Sequence, residues 1–277
     1  MSGFQIDSSE CKFTLQKELN EPTDPQLAID ELRRLIKGDI LLKSRMDDAF
    51  MLKFLRARKF QVKKAFKLVQ NYFEAKEKNS RLFNLNFPSK YKVFLESGTV
   101  FMLPHRDQHG REVYVFRMEK VLSEITIEDV FKINLMILEV ISEHSETQLA
   151  GMIVIADFTG FKWLKHYQYL SPYYAKKSAE VVQESFPLRF QGFHFINEPL
   201  YLYTVYSIIK PFLKEKLRCR VHFHGSNFNS LHKYIAPNIL PTYFGGNLEF
   251  DPLTWVQQLL SKEQYLKELG QYGYNKL

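Results

Sequence analysis

Six residues, Gly151-Met-Ile-Val-Ile-Ala156, run without a polar side chain between two turn signals, and they constrain the fold more than any other stretch. A strand with no polar face must be covered on both sides, as in a sheet sandwiched between other layers. Three more strands are expected. Residues 112–117 alternate after the turn at Asp107-Gln-His-Gly110, and residues 190–196 and 220–224 follow later. Helical spacing fills the intervals at 127–146 and 171–185, the latter opened by Ser171-Pro172. Strands alternating with helices imply an α/β sheet with crossover connections.

Upstream the pattern is purely helical. Leu27, Ile29, Leu32, Leu35 and Ile36 recur at helical intervals after Pro25, and Asp47 stands where a helix over 49–58 needs its cap. A second helix over 62–78 carries the stripe Ala65, Phe66, Val69, Tyr72 and Phe73. The expected organisation is an irregular arm over 1–24, a small helical domain over 25–85 and an α/β domain over 86–250. A helix over 251–277, with Trp255, Val256, Leu259 and Leu260 on one face, packs on that domain.

Residues 200–209 (Leu-Tyr-Leu-Tyr-Thr-Val-Tyr-Ser-Ile-Ile) form an uncharged helix candidate opened by Asn197-Glu-Pro199. Ten residues are too few to cross a bilayer, which takes roughly 20. They suit a movable lid or an interfacial segment. Five cations (Lys210, Lys214, Lys216, Arg218, Arg220) and one acid (Glu215) follow at once, a combination that suits an anionic lipid surface.

The formal net charge is +7, which raises nucleic acid as a partner, but no zinc-finger spacing, basic zipper or RNP-type strand accompanies it. The 24 Phe and 15 Tyr are enough to line a cavity as well as to fill a core. Two distant cysteines, Cys11 and Cys219, fit free thiols in a reducing compartment, and Met-Ser-Gly-Phe-Gln is no signal pattern, so a cytoplasmic protein is expected. Catalytic signatures are missing: no Gly-x-Ser-x-Gly, P-loop, dinucleotide glycine pattern or His-Glu-x-x-His occurs. His222 and His224 share a strand face without a completing acid or thiol, so no metal site and no cofactor is expected. Asp157 beside Gly160 reads as a loop cap rather than a catalytic acid.

Several motifs in order resemble the CRAL-TRIO lipid-binding family, in its α-tocopherol transfer and cellular retinaldehyde-binding branch. They are Leu52-Lys-Phe-Leu-Arg-Ala-Arg-Lys-Phe60, Asp157-Phe-Thr-Gly160, Ser185-Phe-Pro-Leu-Arg189, Gly192-Phe-His-Phe-Ile-Asn-Glu-Pro199, Ile209-Lys-Pro-Phe-Leu213, His222-Phe-His-Gly225, Ile239-Leu-Pro241 and Gly245-Gly246. The resemblance covers about residues 45–270. It implies a helical N-terminal domain, then a mixed-sheet domain like that of the yeast phosphatidylinositol-transfer branch, with a deep apolar cavity and a mobile helical gate. Its cavity walls would use Phe131, Asn134, Leu135, Leu138, Ile153, Ile155, Phe158, Val181, Val182, Phe186, Leu188 and Phe190. The gate would use Leu202, Val205, Ile208, Ile209, Phe212 and Leu213, of which 202, 205 and 209 also share one helical face by spacing.

Arg58, Arg189, Lys216 and Arg220 match a phosphoinositide-binding set, to which Lys210 and Lys67 would add; Gln191 stands where that set has a further arginine. Two serines that face the ligand in the tocopherol branch are replaced here by Asn134 and Leu138, which leaves tocopherol, retinoids, carotenoids and phosphatidylinositol all open as cargo. The expectation is a monomeric carrier that binds one hydrophobic lipid and exchanges it during transient association with anionic, phosphoinositide-containing membranes. Its rivals are a phosphoinositide-binding adaptor and a phosphatidylinositol exchanger.

Overall fold

The computed structural model describes residues 16–83 and 87–274. Three helices open it: α1 (Gln26–Gly38), α2 (Asp48–Ala57) and α3 (Val62–Lys78). The Asp47 carboxylate caps α2 by accepting the Phe50 N–H at 3.0 Å, the role its position predicts. In α1 the buried stripe is Ile29, Leu32 and Ile36; Leu27 is turned to solvent. Of the expected arm, residues 1–15 lie outside the described residues. Residues 16–18 are helical, Leu19 is buried, and Glu21 pairs with Arg56 at 2.7 Å, so this end is packed rather than irregular.

Strands β1 (Leu42–Lys43) and β7 (Gly273–Tyr274) pair antiparallel and return the C-terminus to the helical region. Between them lies the main sheet, in the order β2 (Val100–Met102), β3 (Glu112–Arg117), β4 (Met152–Asp157), β5 (Phe190–Ile196) and β6 (Val221–Phe223). The β2–β3 pair is antiparallel and every other pair is parallel, which makes the sheet mixed. Strand β2 went unread in the sequence because its three residues, Val100-Phe-Met102, are all apolar and show no alternation.

Helix α4 (Ile127–Ile141) starts with a complete Thr126/Asp129 capping box. It stops short of the expected residue 146, and a separate turn of helix, Ser145–Ala150, leads into β4. Helix α5 (Pro172–Glu180) ends in a π-helical turn over Val181–Ser185, and α6 (Leu200–Ile209) is the apolar helix read from the sequence. The expected single C-terminal helix is two, α7 (Pro252–Ser261) and α8 (Glu263–Leu269).

The helical N-terminus and the sheet share one core. Phe54, Val69, Tyr72 and Phe73 belong to the same buried cluster as Phe131, Leu135, Phe190 and Leu266. Polar contacts fasten the same interface: Lys53, almost fully buried, pairs with Glu143 at 2.9 Å, Arg56 donates to Gln148 at 2.7 Å, and the Tyr72 hydroxyl donates to Glu139 at 2.5 Å. Buried charges without such partners would cost several kcal/mol.

Candidate functional site

Parallel registers place Tyr114, Val154, Phe193 and Val221 in one row across the sheet, with Phe116, Ala156, Phe195 and Phe223 in the next. Phe190 joins this face only because β5 carries one extra residue. Met152 pairs with Phe190 and Ile153 with Gly192, so Gln191 forms a bulge that restores the phase for Phe193 and Phe195. Above the face lie two apolar chambers. The inner one, about 140 Å³, is walled by Phe131, Asn134, Leu135 and Leu138 from α4, by Val181 and Val182, and by Phe190, with Tyr114, Met152, Val154 and Phe193 as its floor. The outer one, about 220 Å³, takes in Phe158, Phe195, Val221 and Phe223 and is covered by α6. Ser178, Val182 and Phe193 border both.

Four expected wall residues lie elsewhere. Ile153 and Ile155 point to the opposite face, among Val113, Val115, Leu231, Ile235 and Phe244, because side chains alternate along a strand. The apolar run that predicted the strand carries no phase, and the residues on the cavity face are their neighbours Met152 and Val154. Phe186 packs edge-on against Tyr72 of α3, at 5.9 Å between ring centroids, within the shared core. Leu188 borders the basic cleft described below rather than either chamber.

Of the cavity's polar end, Asn134 was expected and its partner Tyr114 was missed in the sequence. The Tyr114 hydroxyl donates to Asn134 Oδ1 at 2.6 Å, and burial pushes the phenol well above its ordinary pKa. A tyrosine at an inward position of β3, opposite the only polar wall residue expected on α4, was the available signal.

Helix α6 closes the outer chamber. Leu202, Val205, Ile209 and Leu213 face inward, whereas Ile208 and Phe212 are turned to solvent. Leu200, Tyr201 and Tyr203 on α6 and Trp163 and Leu164 before it are also exposed; Trp163 meets Tyr201 edge-on at 5.0 Å. The start of α6 is held firmly. Asn197, in the left-handed region at φ 51°, donates to Asp157 Oδ1 at 3.1 Å and to Thr159 Oγ1 at 2.8 Å. Asp157 also accepts from the Thr159 N–H, the loop-capping role expected of it. Glu198 accepts the Gly225 N–H and, at 2.6 Å, the Tyr203 hydroxyl.

A cleft of about 440 Å³ lies between α2–α3, the π-helical turn and the segment after α6. Arg58, Lys67, Arg189, Lys216 and Arg220 line it, as does Lys214 of the basic run after the apolar helix, together with Lys59 and Lys64, which the sequence did not single out. Lys210 does not reach it and is exposed on the turn after α6. Among the described residues Glu184 is the one acid on its wall. The Lys216 ammonium is held below the usual lysine range by desolvation and then by repulsion from Arg220, Arg189, Lys59 and Arg58. Desolvation also lowers Arg58, Arg189 and Arg220. Cations so crowded are stabilised by a multivalent anion. Val182 and Phe190 border this cleft as well as the inner chamber, so anion site and apolar cavity share a wall.

On the far face of β5 and β6, His194 Nδ1 and His224 Nε2 lie 3.0 Å apart and His222 stacks on His194 at 4.9 Å. Gly192 leaves room for this ring, since a Cβ there would sit 2.5 Å from His194 Nε2. No cluster able to hold a metal ion is found among the described residues. Nor is any helix among them long and apolar enough to cross a membrane.

A helix-covered apolar cavity on a mixed α/β sheet, joined to a helical N-terminus, defines a class of lipid-binding proteins. The chain belongs to the CRAL/TRIO family: residues 95–246 match the CRAL/TRIO domain and residues 16–71 the CRAL/TRIO N-terminal domain. Proteins of this family bind lipophilic ligands and transfer them. Clavesin-2 of Homo sapiens is 40% identical over 261 residues, covering 90% of this chain and 79% of its own length. Clavesin-1 of Xenopus laevis is 40% identical over 253 residues, covering 89% and 76%. The crystal structure of Sfh5 shares the fold, with a TM-score of 0.53 over 77% of this chain and 76% of that one, at 14% identity.

Proposed function

We propose that the protein carries one small hydrophobic lipid, of the tocopherol, retinoid or similar isoprenoid class, and exchanges it at phosphoinositide-containing membranes without catalysis. The observation that carries this reading is the wall shared by the apolar chambers and the basic cleft. Burying about 500 Å² of apolar ligand at about 25 cal/mol/Å² is worth roughly 12 kcal/mol before binding costs. Release into water forfeits that term, whereas release into a bilayer keeps the cargo in oil. Exposed Leu164, Leu200 and Phe212 beside the gate suit insertion among lipid tails. Arg58, Arg189, Lys216 and Arg220 suit a phosphoinositide headgroup, with arginine forks taking phosphate oxygens in pairs. Gln191 in place of a further arginine lowers the affinity expected of that site. The protein works as a cytoplasmic monomer, docking transiently.

The test is native mass spectrometry with organic extraction of protein purified from its own source. A stoichiometric tocopherol, retinoid or related lipid is the expected result. Protein that is empty and takes up no such lipid on incubation would overturn the carrier reading and favour a phosphoinositide-binding adaptor.

A further inference from the structure

We propose that the Gln183 side chain is the latch that holds the gate shut, and that a polyphosphate in the basic cleft releases it by recruiting the latch's cationic supports. What the gate guards rests on the carrier reading above; the latch itself rests on contacts around the π-helical turn. That turn forms the wall between cavity and cleft. Val181 and Val182 face the chambers, while Gln183 and Glu184 face the cleft. A π-helical turn gives up regular helical bonding and is frequent at functional sites.

Gln183 uses both ends of its amide on the gate. Nε2 donates to the Phe212 carbonyl at 3.3 Å, and Oε1 accepts the Lys214 N–H at 2.6 Å. These two backbone groups flank Leu213, the buried side chain that stops the outer chamber. The neighbouring Glu184 carboxylate pairs with the Lys214 ammonium at 2.5 Å. From the other side Arg58 donates to the Gln183 carbonyl at 3.5 Å, and Asn71 donates to that of Glu184 at 3.1 Å.

Arg58 and Lys214 therefore serve twice, as supports of the latch and as cations of the cleft. A phosphate group offers them more charge and three acceptor oxygens, against a single carbonyl or an exposed carboxylate. Drawing Lys214 toward phosphate pulls its backbone N–H off Gln183 and takes Leu213 with it. The other end of α6 has no such weakness: Asn197 and Glu198 are tied to Asp157, Thr159 and Gly225, none of them a cleft cation. Opening accordingly pivots at 197–199 and begins at 212–214. The anion acts because it binds the unlatched form better than the latched one.

Hydrogen exchange over 205–214 of the whole chain tests this, with Gln183→Met, which keeps length and loses both hydrogen bonds. Gln183→Glu, which keeps only the acceptor, and Glu184→Gln serve as graded partners. Without anion, Gln183→Met should exchange about tenfold faster than the natural protein, as loss of one or two hydrogen bonds implies. The other two should fall between. Inositol hexakisphosphate, without any membrane, should accelerate the natural protein and add little to Gln183→Met. If the effect instead needs vesicles containing phosphatidylinositol bisphosphate, the release holds with the lipid headgroup as its source.

Unaltered exchange in Gln183→Met, at an unchanged melting temperature, would overturn the latch. A polyphosphate that binds by calorimetry yet leaves exchange unchanged would overturn the release. If neither the soluble anion nor the vesicle binds, the release falls together with the phosphoinositide half of the proposed function, and Gln183→Met alone still decides the latch. Failure to find cargo bears on the carrier reading and moves none of these rates.

Discussion

The two faces of the central sheet are built from the same strands and the same kinds of side chain, yet the two apolar chambers both lie over one of them. On the far face Val113, Val115, Ile153, Ile155 and Ile196 meet Leu231, Ile235, Leu240 and Phe244 in a closed core. On the near face Tyr114, Val154, Phe193 and Phe195 meet helices α4, α5 and α6, which stand off and leave chambers of about 140 and 220 Å³. Apolar composition therefore does not mark a binding site. What marks it is apolar surface that the chain's own elements do not fill, with a polar pair at one end and a cover at the other. Filled space should answer to stability, and unfilled space to ligand.

The largest effect should come from deleting volume on the filled face. Ile155→Ala should lower unfolding free energy by about 2–5 kcal/mol in urea titration, because the closed core cannot collapse around the loss. Val154→Ala, one residue away, should cost well under half as much, since its side chain already borders a void. Enlarging the same residue should reverse the contrast. Val154→Phe should leave the melting temperature close to that of the natural protein while cutting uptake of a fluorescent polyene fatty acid severely. Equal stability losses for the two alanine variants would remove the distinction between the faces.

This contrast also shows where the sequence was legible. Helix α3, the cap at Asp47 and strand β5 follow from periodicity and capping chemistry, and each is found where those rules put it. The inward side of α6 was readable too, since 202, 205 and 209 share a helical face, and all three line the outer chamber. Face assignment in β4 was not readable. A run apolar at every position is equally good in either phase, and only its pairing with β3 and the bulge at Gln191 decides that Val154, not Ile155, faces the cavity. Likewise Lys59 and Lys64 look like ordinary surface charge until the fold brings α2, α3 and the segment after α6 around one cleft. Neither fact is local, so neither is written in any single segment.

The cleft offers a second comparison with the chambers, because charge rather than volume should govern it. Arg58→Glu with Arg189→Glu should weaken binding to vesicles containing phosphatidylinositol bisphosphate by tenfold or more, and the natural protein's affinity should fall steeply with salt. Uptake of the polyene fatty acid should change little. A parallel loss of both activities would mean that the two sites are not separable.

A smaller effect sets the far face apart by pH. His194 is pressed down to about 3 by burial, then by His222, His224 and Arg111. The unfolded chain takes up that proton near pH 6.5 and the folded one only near 3. The stability conferred is therefore complete above pH 6.5 and is lost as pH falls toward 3, by at most about 1.4 kcal/mol per pH unit for this proton. His222 and His224 are lowered by burial as well and act in the same direction. Urea titrations between pH 7 and 5, above the range of most carboxylates, should show the slope in the natural protein and a shallower one in His194→Gln. Identical slopes would exclude the imidazole cluster as their source.

The smallest effect lies at the polar end of the cavity, and it is the sharpest because it asks what the unfilled face recognises. In Tyr114→Phe the Asn134 carbonyl oxygen loses its 2.6 Å hydroxyl donor and is left facing the inner chamber. An unpaired acceptor in an apolar site costs about 1–3 kcal/mol, part of which a ligand hydroxyl recovers by donating to it. Cargo ending in a hydroxyl should then bind Tyr114→Phe as well as or better than the natural protein, and cargo ending in hydrocarbon should bind no better. Matched competition with retinol and its hydrocarbon analogue reads the difference directly. If both shift alike, the Tyr114–Asn134 pair only braces β3 against α4, and cargo is selected by the shape of the chambers alone.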